Sequence, residues 1–319
     1  MNEKFQNFFN KQIYRIIHFD LHDSRNTVFL AGSARSGTTW LQEFINFDNQ
    51  YRVLFEPFRP DKVEIISHWK YYQYLRAGEN SHMYLDPMKD ILSGRIKNVW
   101  VDTYNKRLFS TKRIIKVVFA NLLLFWMKNH FPEVPIILIM RHPCAVANSK
   151  INIMEKHFRY DSNPLNQFLS QDDLMEDFLR PYEKQLKSEM TVFETFIFMW
   201  CIENLIPLTQ FNEGEIYITY YENICLDAQK EIKKIFSFIG KPYSNEVLQR
   251  VNIPSNVSRK NSAISSGSDL INSWRKKITK DQIQRALEIL NLFGLDSAYN
   301  DSDLPLLDGN ALLRKYKNN

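Results

Sequence analysis

Short, wholly apolar runs alternate along the chain with longer segments whose apolar residues recur at helical spacing. Residues 27–31 (TVFLA) and 134–140 (VPIILIM) are apolar on both faces, which is the pattern of central strands in a parallel sheet. The alternation predicts an α/β fold, a P-loop-like parallel β-sheet flanked by helices on both faces. Further strands are expected at 51–55, 114–119 and 215–220, and helices at 3–18, from residue 38 to about 47, at 122–130, from Pro143 onward, across much of 160–210 and at 227–239.

The bulk composition limits the class of protein. The 319 residues contain no internal repeat and no Pro/Gly/Ser-rich linker, so we expect a single domain over 1–319. Hydrophobic residues make up 44% and charged residues 24%, which excludes a disordered or fibrous class. The net charge of +5 is compatible with an anionic ligand and is too small to indicate nucleic acid.

Three widely separated cysteines form neither a C-x-x-C motif nor a zinc-binding spacing. A sparse, odd set is typical of a reducing compartment. The N-terminal residues lack the apolar core of a signal peptide, and no apolar run reaches the roughly 20 residues of a membrane span. We therefore expect a cytoplasmic protein with no metal and no integral membrane segment, unless an anchor lies outside this sequence.

The stretch "AGSARSGTTW" joins the first strand to its helix. Gly32 and Gly37 have the spacing of a Walker A loop, but Thr38 stands where that loop has lysine. Backbone N–H groups and a helix start attract an anion there, and Arg35 adds a permanent charge. This favours a donor whose reactive group sits on a single phosphate; a β-turn-α packing loop is the alternative. Hydroxyl donors are added by Ser36, Thr38 and Thr39.

Polar residues follow several of the predicted strands. Gly32, Glu56, Arg141 and Tyr221 each lie just past a strand end. Ligands of parallel α/β sheets bind beyond the carboxyl ends of the strands. We therefore expect these four residues to meet at one site.

"SARSGTTWLQ" resembles the 5′-phosphosulfate loop of sulfotransferases, which move a sulfuryl group from 3′-phosphoadenosine-5′-phosphosulfate (PAPS) to a hydroxyl or amine. The resemblance implies that Trp40 lies against the adenine, although core packing would equally suit this residue. It also implies a 5′-phosphosulfate site made of Arg35, Ser36, Gly37, Thr38 and Thr39.

Three further segments resemble the same family. "RHPCAVANSKI" is similar to its 3′-phosphate element and implies that Arg141 and Ser149 bind this phosphate, the alternative for Arg141 being a surface salt bridge. "IYITYYENICLDAQK" is similar to its strand-Y-E-D-helix segment, which places Tyr221 near the nucleotide. "SNVSRKNS" implies a second 3′-phosphate grip by Arg259 and Lys260, unless this is a solvated loop. Glu222 and Asn223 are expected to cap the next turn, and His142 to be a turn residue.

The catalytic base differs from that of cytosolic family members, which carry K-x-H on a strand. Here "IIKVVFAN" keeps Lys116 but has Val118 in place of the histidine. "VLFEPFRP" resembles the E-P element of carbohydrate sulfotransferases, which implies Glu56 as general base. The alternative is a carboxylate paired with Arg35, Arg52 or Arg59. Lys116 either stabilises the sulfuryl group or only snorkels from a strand end; the reserve bases are His68, His82 and His157.

The resemblance covers a nucleotide-binding core at about 26–150 and 213–280, with variable, helical acceptor-side segments at about 60–113 and 151–210. It implies sulfuryl transfer from PAPS to a carbohydrate or glycolipid hydroxyl, with PAP as product. The aromatic residues of 68–84 would line the acceptor pocket or pack a helix face. The rival functions are a P-loop kinase or NTPase and a non-catalytic nucleotide-binding protein.

Overall fold

A five-stranded parallel sheet lies at the centre of the structure, a computed structural model that describes residues 17–157, 163–251, 253 and 269–317. In chain order the strands are β1 (Phe19–Asp20), β2 (Thr27–Gly32), β3 (Tyr51–Phe55), β4 (Phe109–Ser110), β5 (Lys112–Lys116), β6 (Ile136–Met140) and β7 (Tyr217–Tyr220). The central sheet has the order β3-β5-β2-β6-β7, and β1 and β4 form a separate parallel pair.

Twelve α-helices occur in the described part of the chain. They are α1 (Thr38–Ile45), α2 (His82–Leu92), α3 (Leu124–His130), α4 (Pro143–His157), α5 (Asn166–Leu169), α6 (Asp172–Leu174), α7 (Glu183–Leu186), α8 (Val192–Gln210), α9 (Tyr221–Leu226), α10 (Ala228–Phe238), α11 (Lys280–Leu292) and α12 (Gly309–Lys317). Short 3-10 turns include Asn121–Leu123 before α3 and Ser273–Lys277 before α11.

Alternate residues of the strands pack into cores on opposite faces of the sheet. Phe29 and Leu138 join one core with residues of α3, α4 and α8, whereas Leu30 and Ile139 join the other with residues of α1 and α10. Each fully buried aliphatic side chain contributes about 1.5–3 kcal/mol to folding. The predicted parallel sheet with helices on both faces is therefore confirmed.

The carboxyl ends of the central strands lie along one edge of the sheet. In the register of the sheet, Lys116 pairs with both Phe55 and Leu30, Gly32 pairs with Ile139, and Met140 pairs with Tyr220. The residues that follow these strands therefore face the same side of the molecule.

Several predicted boundaries were wrong. β5 spans Lys112–Lys116 instead of 114–119, because the N–H of Val118 donates to a side-chain carboxylate instead of extending the ladder. The segment 60–113, expected to be helical, has α2 as its one α-helix and is irregular over 67–81. The helix expected at 3–18 lies outside the described residues except for 17–18, which are not helical.

Helix α8 has the length and apolar composition of a membrane span. However, 83% of its most apolar 18-residue window is buried inside the protein. It packs against α4 and α11 as the central helix of one core. Its N-terminal end is defined by a capping box in which the side chains of Thr191 and Glu194 bind each other's backbone N–H groups.

The three cysteines are free thiols, and Cys144 and Cys201 are buried. Burial raises the pKa of Cys144 to about 12, so this thiol is unreactive at neutral pH. The cytoplasmic location expected from cysteine usage stays a prediction.

Candidate active site

The loop between β2 and α1 is a tight turn. The N–H and the hydroxyl of Ser36 both donate to the carbonyl of Ser33, at 3.0 and 2.7 Å. Arg35 has a φ of +77° and Gly37 a φ of +99°. The N–H groups in the first turn of an α-helix such as α1 have no partners within the helix, and a site of this kind attracts anions. The Ser36 hydroxyl shapes the loop, and its contact with a phosphate stays a prediction.

Two features of the structure require glycine at position 37. Its φ lies in the left-handed region, which glycine adopts without strain. A Cβ atom here would also lie 2.7 Å from Cδ2 of Tyr221. The Tyr221 ring therefore packs directly on the loop, as the strand-end pattern predicted.

Trp40 is buried between aromatic rings. Its ring centroid lies 4.9 Å from that of Phe44 and 5.3 Å from that of Tyr221. Its indole N–H is buried and has no hydrogen-bond partner among the residues described. The side chain thus packs in the core beside the loop, while its contact with an adenine stays a prediction.

The two predicted phosphate elements touch each other. Nε of Arg35 donates to Oγ of Ser149 at 2.9 Å, and Nη1 of Arg141 lies 3.3 Å from the carbonyl of Arg35. The Arg141 guanidinium is centred 4.0 Å from the Tyr221 ring centroid. Within the described ranges no carboxylate forms an ion pair with Arg141, so its charge is available to an anion and the salt-bridge alternative finds no support.

His142 is not a solvent-exposed turn residue. It is buried, and its ring stacks on Trp274 with centroids 4.4 Å apart. Its Nδ1 accepts the N–H of Cys144 at 3.3 Å and so caps the first turn of α4. Burial lowers the pKa of His142 to about 3, so the ring is neutral at physiological pH.

Glu56 forms a buried ion pair with Lys116. One carboxylate oxygen contacts Nζ of Lys116, and the other accepts the N–H of Val118 at 3.0 Å. Both side chains are almost fully buried. The alternative of an arginine partner was wrong for Arg52, which pairs with Asp20 and Asp102, and for Arg59, which pairs with Asp61.

The backbone of Glu56 is strained, with a φ of +48°. A non-glycine residue held in this region costs about 1–3 kcal/mol, and such residues cluster at functional sites. Two hydrogen bonds hold it there: its N–H donates to the carbonyl of Lys116 at 2.9 Å, and its carbonyl accepts from Nε1 of Trp100 at 3.3 Å. Sequence patterns gave no signal for Trp100.

Aromatic side chains cluster around Phe119, just beyond the end of β5. Phe119 directly follows Val118, and its ring lies 5.1 Å from Tyr71 and 5.2 Å from Tyr72. Tyr72 also packs on Phe168, so the segments 68–84 and 151–210 meet here. Residues 67–81 are irregular, so among the aromatic residues of 68–84 only Tyr84, in α2, packs from a helix.

Other predicted residues lie elsewhere or outside the description. His68 bonds the carbonyl of Met83, and His82 pairs with Asp86 on an exposed helix. Arg259, Lys260 and the side chain of His157 lie outside the described residues. Among the residues that the structure describes, no group of three His, Cys, Asp or Glu side chains could hold a metal ion.

Comparison with known proteins gives one strong match. The profile of the sulfotransferase domain family matches residues 25–291. No curated protein matches the sequence significantly.

Solved structures with a similar fold include mouse sulfotransferase SULT7A1 complexed with PAP, at 16% identity and a TM-score of 0.46, with 96% of this chain and 92% of that chain covered. Retinol dehydratase in complex with androsterone and inactive cofactor PAP is 18% identical, with a TM-score of 0.41 over 94% and 88% of the two chains. Sulfotransferase STF9 from Mycobacterium avium is 11% identical, with a TM-score of 0.48 over 88% and 79%.

Proposed function

The chain belongs to the sulfotransferase domain family, and on this premise we propose that it transfers the sulfuryl group of PAPS to a hydroxyl of a carbohydrate or glycolipid, with Glu56 as general base. The observation that carries the donor assignment is the contact between the loop at Arg35 and the element at Ser149 and Arg141. PAPS carries phosphates on the 5′ and 3′ sides of one ribose. Two predicted phosphate-binding segments that contact each other suit a ligand of this kind.

The donor site combines two guanidinium groups with helix N–H groups. Arginine presents a planar fork of donors that matches phosphate oxygens. The N–H groups at the start of α1 supply a second set of donors to the 5′ side. Arg35, Arg141 and Ser149 would hold the nucleotide, and Tyr221 would pack between the two phosphate elements.

The ion pair of Glu56 and Lys116 supports the catalytic assignment. PAPS supplies an activated sulfuryl group on its 5′-phosphate. As the acceptor oxygen bonds to sulfur, the bond from sulfur to the 5′-phosphate oxygen breaks and PAP leaves. Negative charge develops on the sulfuryl and bridging oxygens in the transition state, and the ammonium of Lys116 would move to contact these oxygens. Glu56, released from this ammonium, would accept the hydroxyl proton, which typically contributes about 10²–10⁴-fold to the rate.

Three features support a carbohydrate or glycolipid acceptor. Val118, which stands in the position of the aryl-type histidine, donates its N–H to Glu56, so the carboxylate occupies the place next to that strand end. The half-buried Tyr71 and Phe119 offer faces on which a sugar ring can stack. Arg59 and Asp61, bonded to each other, offer polar groups to its hydroxyls.

The first test is ligand-dependent thermal stability with PAP, AMP and ATP·Mg²⁺. At about 100 times its Kd, PAP should add roughly 2.7 kcal/mol to the free energy of unfolding. In Arg141→Met, PAP should stabilise the protein little more than AMP does. In the matched control Arg95→Met, at an exposed arginine, PAP should stabilise as strongly as in the wild type.

The second test is transfer of labelled sulfuryl from PAPS to sugar and phenol acceptors in the presence of EDTA. We expect transfer to sugar hydroxyls without a divalent metal. Stabilisation by ATP·Mg²⁺ but not by PAP would favour the P-loop kinase or NTPase instead. PAP binding without turnover of any acceptor would favour a non-catalytic nucleotide-binding protein.

A further inference from the structure

Both polar atoms of the peptide group between Arg141 and His142 are held by buried side chains. The carbonyl of Arg141 accepts from Nε1 of Trp200 at 3.0 Å. The N–H of His142 donates to Oε1 of Glu222 at 2.9 Å. Trp200 and Glu222 come from different elements, α8 and α9, so this peptide plane is fixed from both sides.

Glu222 is in turn held by the C-terminal part of the described chain. Its second oxygen accepts the hydroxyl of Tyr299 at 2.9 Å, and both side chains are completely or almost completely buried. A buried carboxylate oxygen that loses its donor is unfavourable, because no hydrogen bond then offsets the loss of its hydration. The Tyr299 hydroxyl therefore fixes the orientation in which Glu222 meets the peptide of Arg141.

The side chain of Arg141 is supported from the same place. Tyr221, the neighbour of Glu222 in the chain, lies under the Arg141 guanidinium at 4.0 Å. One dipeptide at the start of α9 thus contacts both the side chain of Arg141 and the N–H of the peptide that follows it, which belongs to His142. The loop that would hold the 5′ side touches Tyr221 and Arg141, but its turn is also closed by its own hydrogen bonds from Ser36 to Ser33, which involve neither Glu222 nor Tyr299.

We propose that Glu222, oriented by Tyr299, is a positioning residue for Arg141 and sets how strongly the protein prefers a nucleotide with a 3′-phosphate over one without it. The proposal rests on the proposed function, in which Arg141 binds the 3′-phosphate. Loosening this support should weaken binding of PAP and leave binding of AMP, which has only the 5′-phosphate, nearly unchanged.

The test measures the Kd of PAP and of AMP by calorimetry in the wild type and in three variants. Tyr299→Phe removes the donor to Glu222, and Glu222→Gln keeps the size of the side chain but replaces one acceptor oxygen. Tyr220→Phe is the matched control, because the Tyr220 hydroxyl is buried next to α9 and has no hydrogen-bond partner in the described part of the chain.

We expect Tyr299→Phe and Glu222→Gln to weaken PAP binding by about 5- to 10-fold, the equivalent of one lost hydrogen bond, and AMP binding by less than about twofold. Tyr220→Phe should change neither. The ratio of the two constants does not depend on the folded fraction, so a partly unfolded variant still gives an answer. Wild-type preference for PAP that persists unchanged in both variants would overturn the proposal, whereas a wild type without that preference would instead refute the 3′-phosphate role of Arg141.

Discussion

Replacement of Glu56 by glutamine tests the catalytic assignment most directly. The amide keeps the size of the side chain and an oxygen that can accept the Val118 N–H, now 3.0 Å from the carboxylate. It cannot take the proton of an acceptor hydroxyl at neutral pH. It also leaves Lys116 without its anionic partner, at 4% exposure and 4.9 Å from the Phe55 ring centroid.

The two consequences have different magnitudes and different readouts. Loss of a general base should lower kcat by about 10²–10⁴-fold, or roughly 2.7–5.5 kcal/mol in the activation free energy. Removal of one partner of a buried ion pair should lower the free energy of unfolding by about 3–5 kcal/mol. Binding of PAP should stay close to that of the wild type, because Glu56 makes its ion pair with Lys116 and hydrogen bonds with Lys116, Val118 and Trp100, none of which is a proposed nucleotide ligand.

The assay is the initial rate of PAP release at saturating PAPS with the best sugar acceptor, beside urea denaturation and PAP calorimetry. Glu64→Gln, at an exposed glutamate of the turn Glu64–Ile66, is the matched control and should behave as the wild type. Formate added to Glu56→Ala should return part of the lost rate, because a free carboxylate can accept the proton in place of Glu56. It would not restore the rate if the role of Glu56 were only structural. A kcat for Glu56→Gln within about threefold of the wild type would refute the assignment of the base.

Three other substitutions test the site by different physics. Gly37→Ala should destabilise by about 1–3 kcal/mol and abolish the PAP-induced rise in Tm, since its Cβ would lie 2.7 Å from Tyr221; Gly214→Ala, with a φ of +85° and open space around it, should retain that rise. The pKa of His142 is lowered by burial to about 3, whereas an unfolded histidine titrates near 6.5. Between these two pKa values the unfolded chain therefore binds more protons than the folded chain. As the pH is lowered below 6.5, the free energy of unfolding should decrease by up to about 1.4 kcal/mol per pH unit. His142→Asn should lack this component in urea denaturation at pH 7, 6 and 5, and an unchanged pH dependence would contradict it. Trp100→Phe removes one hydrogen bond to the backbone of the proposed base and should lower kcat/KM about fivefold with PAP affinity unchanged; a change confined to PAP affinity would count against this role.

Positions in the fold that depend on local sequence were predicted well. The glycine spacing of the loop, the strand that precedes it and the position of Arg141 at a strand end all follow from short-range patterns. Tyr221 was expected near the loop and packs on Gly37. These predictions succeeded because a parallel sheet brings its carboxyl ends to one edge whatever the details of its helices.

Partners that are distant in sequence were not predicted. Glu56 pairs with Lys116, which is 60 positions away, and not with the arginines near it in sequence. The bond of Tyr299 to Glu222 spans 77 positions. Neither pairing has a periodic signature, because each depends on strand register and on how helices cross the sheet edge.

The sequence by itself determined the layered α/β fold, since apolar periodicity records burial. It also predicts an anion site at the glycine-bounded turn with Arg35. Only the tertiary structure decided which charges meet. The positive φ of Glu56, its ion pair with Lys116 and the two-sided support of Arg141 arise from contacts between separate elements. Such contacts are fixed by close packing of the whole chain, which no single stretch of residues specifies.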